Sequence, residues 1–377
     1  MRFPEFTDEW KEYKISELTD NIIDFRGKTP KKLGFKWGGN IPALSAINVK
    51  MGKIELNEET HYGSIGLYNK WMTQGDCEKD DVIITMEAPL GNVAQIPDDK
   101  KYILSQRVVL FKFKNFINKN FIAQYFRSNK FQKELLKLST GTTAKGIKQK
   151  NLVKIKVKIP SYLEQKKDAN ILSLIDQKID LLEKRLILNE RIIRSISNSL
   201  FKDLDIKNSE ISTLKKICTI NKGEQLNKDN MTLNGKYYVL NGGKEPSGYT
   251  DKWNVEKNTI SISEGGNCGY VNFNFKEFWA GGHCYYLTDL NKNIKLYYLY
   301  YYLKENQREI MKLRVGSALF NIQKKDIENF KIKVPKIEKQ KEISHFLLIL
   351  NRKLEIIKSK LKLMKVFKRG LLQEMFV

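Results

Sequence analysis

The sequence predicts an α+β chain in which two mixed α/β modules are separated by a pair of long antiparallel coiled-coil helices, with an internal pseudo-two-fold repeat. Three observations predict this. First, Gly141-Thr142-Thr143-Ala144-Lys145-Gly146-Ile147 resembles Gly316-Ser317-Ala318-Leu319-Phe320-Asn321-Ile322. The offset of 175 then holds without a gap through residues 156–160 and 331–335 to Leu200-Phe201 and Met375-Phe376, with 14 identities in 61 positions. Second, each copy ends in a heptad seam of large aliphatics. Third, each begins with short β-prone runs set among Gly, Asn and Lys loops. A period this long is no solenoid; it is one module copied twice.

Residues 1–160 form the first module. Val82–Thr85, Val108–Phe113 and 153–159 read as strands, the last because residues 152–159 alternate apolar side chains with lysine. Residues 121–138 have helical spacing, and Phe121, Tyr125 and Phe126 belong to its core face. Residues 161–203 form the central long helix. Its 3-4-3-4 spacing gives the seam Leu172, Ile175, Ile179, Leu182, Leu186, Asn189, Ile193, Ile196 and Leu200.

Residues 204–335 form the second module. There 327–334 repeats the alternating strand more weakly, and 296–313 repeats the aromatic helix with Tyr297, Tyr298, Tyr300, Tyr301 and Tyr302. Residues 336–377 form the second long helix, with the seam Leu347, Leu350, Leu354, Ile357, Leu361, Met364, Lys368, Leu371 and Met375. Asn189 and Lys368 are lone polar seam residues, which cost stability and fix register. Two seams in one chain are concentrated for each other, so the helices should pair antiparallel with a module at either end. The globular parts match each other poorly.

A second stripe runs along heptad position c: Leu174, Leu181 and Leu188 on one helix, Ile349, Ile356 and Leu363 on the other. Ile171, Ile192, Phe346 and Phe367 flank it at position g. A simple helix pair does not need it. It is covered either by the chain's own modules or by another protein, once per helix.

Charge points to the partner. Sixty-seven Lys and Arg face 43 Asp and Glu, for a net +24. Between Lys100 and Lys158 sixteen basic residues accompany one acid, Glu134. Such an excess fits a polyanion, with nucleic acid first among them. No apolar run is long enough to cross a bilayer, and the opening Met1-Arg2-Phe3-Pro4-Glu5 has no signal-peptide core. Cys77, Cys218, Cys268 and Cys284 make neither a disulfide framework nor a zinc pattern. A cytoplasmic, reducing setting is expected.

Recognisable catalytic motifs are missing. Gly27-Lys28-Thr29 ends like a P-loop, but Ile22 stands where its first glycine belongs. Pro97-Asp98 opens like a nuclease motif, yet no acid follows between Lys100 and Lys133. No Pro-Pro dipeptide exists, which excludes the Asp/Asn-Pro-Pro-aromatic motif of adenine amino-methyltransferases. His283-Cys284 with Cys268 lacks a fourth metal ligand at useful spacing, so no metal site is expected. Gly265-Gly266-Asn267-Cys268-Gly269 is a tight loop, suited equally to an ordinary turn or to close approach by a phosphate.

Two variable modules, each followed by a similar long helix, resemble the specificity subunit of a type I restriction-modification system. Arg2-Phe3-Pro4-Glu5-Phe6 through Trp10 resembles that family's start, and Pro160, Glu164, Gln165 and Lys166 its strand-to-helix junction. Glu87-Ala88-Pro89-Leu90-Gly91-Asn92-Val93 and Phe278-Trp279-Ala280-Gly281-Gly282-His283-Cys284 resemble loops of its target-recognition domains. At the second junction Lys339-Gln340 replaces Glu-Gln. The resemblance implies a non-catalytic subunit that reads a bipartite, asymmetric target in double-stranded DNA. It implies two methylation subunits as partners, together with restriction subunits. S-adenosylmethionine, ATP and Mg would sit on those partners, with none bound by this chain.

Phosphate contacts are expected from loop lysines: Lys28, Lys31, Lys32, Lys145, Lys148 and Lys150, then Lys324 and Lys325. Only eleven of the 67 basic residues are Arg, so amides and hydroxyls should share in reading base edges. The candidates are Ser45, Asn48, Thr142, Thr143 and Gln149, then Asn241, Asn267, Ser317, Asn321 and Gln323. The loops beginning at Gly141 and Gly316 are favoured because they occupy equivalent places. Two other readings stay open: a stand-alone DNA methyltransferase or nuclease with an unrecognised site, and a coiled-coil adaptor that ignores DNA.

Overall fold

The computed structural model describes residues 2–142, 144–202, 204, 209–316 and 320–376. The chain divides into two compact units, Met1–Glu183 with Lys360–Val377, and Lys184–Ser359. Each unit therefore takes part of both long helices, Tyr162–Lys202 and Ile337–Met375. The linear division at 161, 204 and 336 is a different partition, since each long helix is shared between the two units.

In the first unit, a four-stranded antiparallel sheet runs in the order Thr19–Ile23, Val108–Phe113, Val82–Thr85, Val93–Gln95. Alternate residues feed two cores, as a pleated strand requires. Val82, Ile84, Val109 and Phe111 join one; Ile83, Val108 and Leu110 join the other. A three-stranded sheet places Ile41–Leu44 between Tyr62–Gly63, antiparallel, and Ile103–Leu104, parallel. Lys11–Lys14 pairs with Lys156–Ile159.

The second unit repeats these three sheets; the first unit's hairpin of Val49–Lys50 with Lys53–Ile54 has no counterpart among the described residues. Its larger sheet runs Thr219–Lys222, Cys284–Thr288, Thr259–Ser263, Val271–Asn274. Tyr237–Leu240 lies between antiparallel Gly248–Thr250 and parallel Trp279–Ala280, and Ser209–Thr213 pairs with Lys331–Pro335. The poorly matching globular parts are thus one fold.

Four expected elements end elsewhere. The strand at 153–159 begins only at Lys156, and Gln149–Leu152 is a helical turn. The carbonyls of Val153 and Ile155 instead accept from Ser16 and Ile15 at 3.1 and 3.0 Å, satisfying amides that open the short helix Ile15–Leu18. Its counterpart likewise divides into a helix, Lys324–Glu328, and the strand from Lys331. The helix at 121–138 breaks at Ser128, whose Oγ accepts from Phe131 N and starts a second helix. The helix at 296–313 breaks at Asn306.

One side chain governs each strand-to-helix junction. Gln165 Nε2 donates to the carbonyls of Phe116 and Pro160 at 3.1 and 3.0 Å, and its Oε1 accepts from Asn118 N at 2.8 Å. Gln340 does the same for Asn293 O, Pro335 O and Lys295 N, each at 2.9 Å. The neighbouring Glu164 anchors the start of the chain instead. It accepts from Arg2 Nε at 2.6 Å, Arg2 Nη2 at 2.8 Å and Trp10 Nε1 at 3.1 Å. Those donors belong to the segment that precedes the first strand, so a Lys at the repeat position, Lys339, serves a different surface.

Within the first unit the helices run antiparallel. Glu183 pairs with Lys365 at 2.6 Å and Asp176 with Lys368 at 2.5 Å, while Leu172 and Ala169 share a core with Met375 and Phe376. Lys368 is held in the seam by Asp176, which also accepts from Gln124 Nε2 at 2.8 Å. Burial lowers the Lys368 pKa despite that pairing. In the second unit Asn189 turns its amide back to Arg185 O at 2.8 Å, and Leu200 and Phe201 share a core with Ile343 and Leu347.

Asp168 is a buried carboxyl at the position that Ile343 fills in the repeat; the two are 3% and 1% exposed. Burial, reinforced by nearby Glu164, pushes its pKa up to about 7. A carboxyl raised in the folded state binds its proton more tightly than the unfolded chain does, so stability falls as pH rises between the two pKa values. Stability to urea should therefore drop by on the order of 2–4 kcal/mol from about pH 4 to about pH 7. Asp168→Asn should flatten that slope, and an unchanged slope would remove Asp168 as its source.

Candidate nucleic-acid interface

The equivalent loops are built around glycines that no other residue replaces cheaply. Gly141 and Gly316 sit at φ 104° and 113°, in left-handed territory. A Cβ on Gly141 would lie 2.3 Å from Ala144 O. The first loop is closed by Thr140 N to Gly146 O at 2.8 Å and the reciprocal bond at 2.9 Å. The second is closed by the same pair of bonds between Val315 and Asn321, at 2.8 and 3.0 Å.

Each loop rests on another loop at the end of the central sheet strand. Ile147 N donates to Met86 O at 3.0 Å, and Ile322 N to Glu264 O at 2.9 Å. The supporting loops close in the same way, with Gly91 N on Thr85 O and Gly269 N on Ser263 O. The tight loop 265–269 is therefore the structural counterpart of 87–91. The segment 278–284, which resembles a similar kind of loop in sequence, instead contains the parallel strand Trp279–Ala280.

A cleft lies near the platform in each unit. The first, of about 350 Å³, is lined by Lys28, Thr29, Pro30, Trp37, Ser45, Ala46, Ile47, His61, Ser105, Gln106 and Arg107. Trp37 stacks on His61 with ring centroids 5.2 Å apart. The second, of about 550 Å³, is lined by residues 225–228 and 231–233 together with Asn241, Ser247 and Gly248. In both, a short 3-10 turn (Pro30–Leu33 or Lys228–Asn230) faces the residue that follows the middle strand of the three-stranded sheet, Ser45 or Asn241.

The expected contact residues divide sharply. Lys31, Lys145, Lys148, Lys150 and Lys325 are exposed cations. Lys32 is exposed with its ammonium on Gly27 O, and Lys324 faces Glu328 at 3.7 Å. Thr142, Asn321 and Gln323 are exposed, while Gln149, Asn241 and Asn267 are half-buried. Thr143 and Ser317 lie outside the described residues. Lys28 is half-buried at the cleft: its Nζ donates to Trp71 O at 2.8 Å, lies over the Phe25 ring, and has its pKa lowered by burial.

Asn48 is corrected. It is wholly buried, accepts from Ser45 N and Ser45 Oγ, and donates to Glu55 O and Thr60 Oγ1. That leaves no group for a base and fixes Ser45 in place.

Sequence reasoning missed the carboxylate-cation pairs at the platform. Arg107 Nε lies 3.2 Å from Glu87 Oε1. In the second unit Glu264 receives Lys222 Nζ at 2.6 Å, Tyr285 OH at 2.9 Å and His283 Nδ1 at 3.2 Å. Burial opposes the Glu264 charge, but these donors outweigh it and hold its carboxyl below the usual range. No local signal marked these residues; the contacts join segments 19 or more positions apart.

The stripe is the second surface. Its six aliphatics are 49% to 68% exposed, so the chain's own modules do not cover them. The seam residues beside them are buried or half-buried.

Two copies of one fold, each with a double-loop platform, define a duplicated recognition chain. A model of the type I restriction modification DNA specificity domain matches it twice, over residues 7–190 and 206–365. The chain belongs to that family. A protein of Mycoplasma pneumoniae named as a type I specificity subunit is 37% identical over 145 residues, 38% of this chain and 39% of that protein. The MjaVIII specificity subunit of Methanocaldococcus jannaschii is 31% identical over 202 residues, 52% and 46% of the two chains. This chain thus spans less than half the length of these relatives. The fold matches the crystal structure of a type I restriction-modification S subunit from M. genitalium, with TM-score 0.71, 20% identity and coverage of 100% and 97%. Among the described residues no helix is long and apolar enough to cross a membrane.

Asn48→Ala should lower stability by about 2–4 kcal/mol, since it strands buried partners. Chemical denaturation of the full chain measures this; a change under about 0.5 kcal/mol, the scale of an ordinary surface substitution, would return Asn48 to the surface.

Proposed function

We propose that the chain is the DNA-reading subunit of a type I restriction-modification complex and is non-catalytic by itself. The observation that carries this is the pairing of one fold with two different sets of platform side chains. A shared platform presents a groove in the same manner twice, and its differing residues read different bases. The target is then bipartite and asymmetric, with a spacer set by helix length, as half-site spacing follows protein geometry elsewhere. The exposed lysines supply sequence-independent phosphate contacts.

The exposed stripe supports docking of two methylation subunits, one per helix. Restriction subunits complete the complex. S-adenosylmethionine, ATP and Mg reside on those partners, whose chemistry this chain directs to a cytoplasmic DNA target. The chain's basic excess and family membership favour this over the adaptor reading.

Exchanging residues 10–160 for those of a relative with another target should change one half of the methylated motif and leave the other intact. Methylated-adenine sequencing in cells carrying the partners reads this, and an unchanged motif would refute the assignment of that module. Leu181→Glu and Ile356→Glu together should abolish co-purification of methylation subunits while circular dichroism stays unchanged. Undiminished co-purification would place docking elsewhere.

A further inference from the structure

Arg107 and His283 occupy the same place in the two modules. Each lies three residues beyond the parallel strand of the smaller sheet and immediately before a strand of the larger one. The backbone bonds around them coincide. Ser105 N donates to Leu44 O at 2.7 Å, and Gly281 N to Leu240 O at 2.8 Å. Met86 N donates to Arg107 O at 2.8 Å, and Glu264 N to His283 O at 2.9 Å. Both side chains are about half exposed, 50% and 54%, and both meet a carboxylate at 3.2 Å.

The carboxylates come from adjacent positions of the equivalent supporting loops, Glu87 in one and Glu264 in the other. Because Met86 corresponds to Glu264, the two pairs are not copies of an inherited contact. Arg107 is also held at φ 66°. A non-glycine residue in that conformation is uncommon and costs energy that the surroundings must supply. Here it sits beside the loop that Gly141 begins, on the wall of the first cleft.

We infer that Arg107 and His283 are the specificity-determining residues at one equivalent base position of each half-target, with Glu87 and Glu264 as positioning residues. Arg107 reads a guanine. Its guanidinium contacts Glu87 through Nε, which leaves the terminal nitrogens for the guanine O6 and N7 edge in the major groove. His283 spends Nδ1 on Glu264 and keeps only Nε2 for a base, so it makes a single bond and discriminates less. The same position therefore demands guanine in one half-target and imposes a weaker preference in the other. This rests on the DNA-reading function proposed above.

Selection from a randomised duplex DNA library tests it, using the full chain purified with its methylation subunits. The wild-type complex should enrich a bipartite motif with guanine at one position of the first half. Arg107→Gly, which keeps the left-handed backbone accessible, should lower that guanine preference at least tenfold and leave the second half intact. Arg107→Lys should retain part of it, and His283→Ala should relax only the second half, by a smaller factor. An unchanged motif with Arg107→Gly would overturn this inference while the DNA-reading function stands. Loss of both halves together would make Arg107 merely structural and would overturn it as well. A wild-type complex that enriches no sequence would overturn the underlying function, and this inference with it.

Discussion

The junction glutamine is the constraint on which the rest of each unit depends. A helix that leaves a sheet must satisfy the carbonyl at the strand-to-helix turn and hold the next loop at a fixed distance. Gln165 and Gln340 do both with one amide, spending its donors on Pro160 O or Pro335 O and on a second loop carbonyl. The helix heading then follows, because the amide is buried and its partners lie on different elements. Only with that heading fixed do the seam residues face inward and the position-c aliphatics face out.

The seams tolerate their polar members in different ways. Lys368 is mostly buried against Asp176, and Arg127 lies 3.4 Å from the same carboxylate. Removing the acid would leave buried cations unpaired, the costly half of a buried ion pair. Asn189 stays half-buried and bonds to its own helix. The register role thus falls on Lys368, whose partner lies on the other helix. Among the described residues, Asn189 makes no such cross-helix bond.

Much of this is legible in residue patterns. Heptad spacing locates both long helices because a seam repeats its own signal every turn. Val82–Thr85 and Val108–Phe113 are legible as continuous apolar β-prone runs, since a strand buried on both faces needs no polar alternation. The identity of the two globular folds is not legible: topology is preserved through backbone bonds while side chains diverge. The breaks at Ser128 and Asn306 escape notice because helical periodicity runs across them. Asn48 reads as a base contact because a loop asparagine looks the same whether it faces solvent or closes a turn. Arg107 escapes too, because its conformation and its partner are set by distant chain segments.

The open rows of aliphatics carry a consequence for the chain's life before assembly. Leu174, Leu181 and Leu188 on one helix, like Ile349, Ile356 and Leu363 on the other, form an oily strip of a kind that water-soluble monomers seldom display. A chain made without companions would clump or be degraded through these strips. The uncovered strips thus set a cost in water that grows with the concentration of the chain.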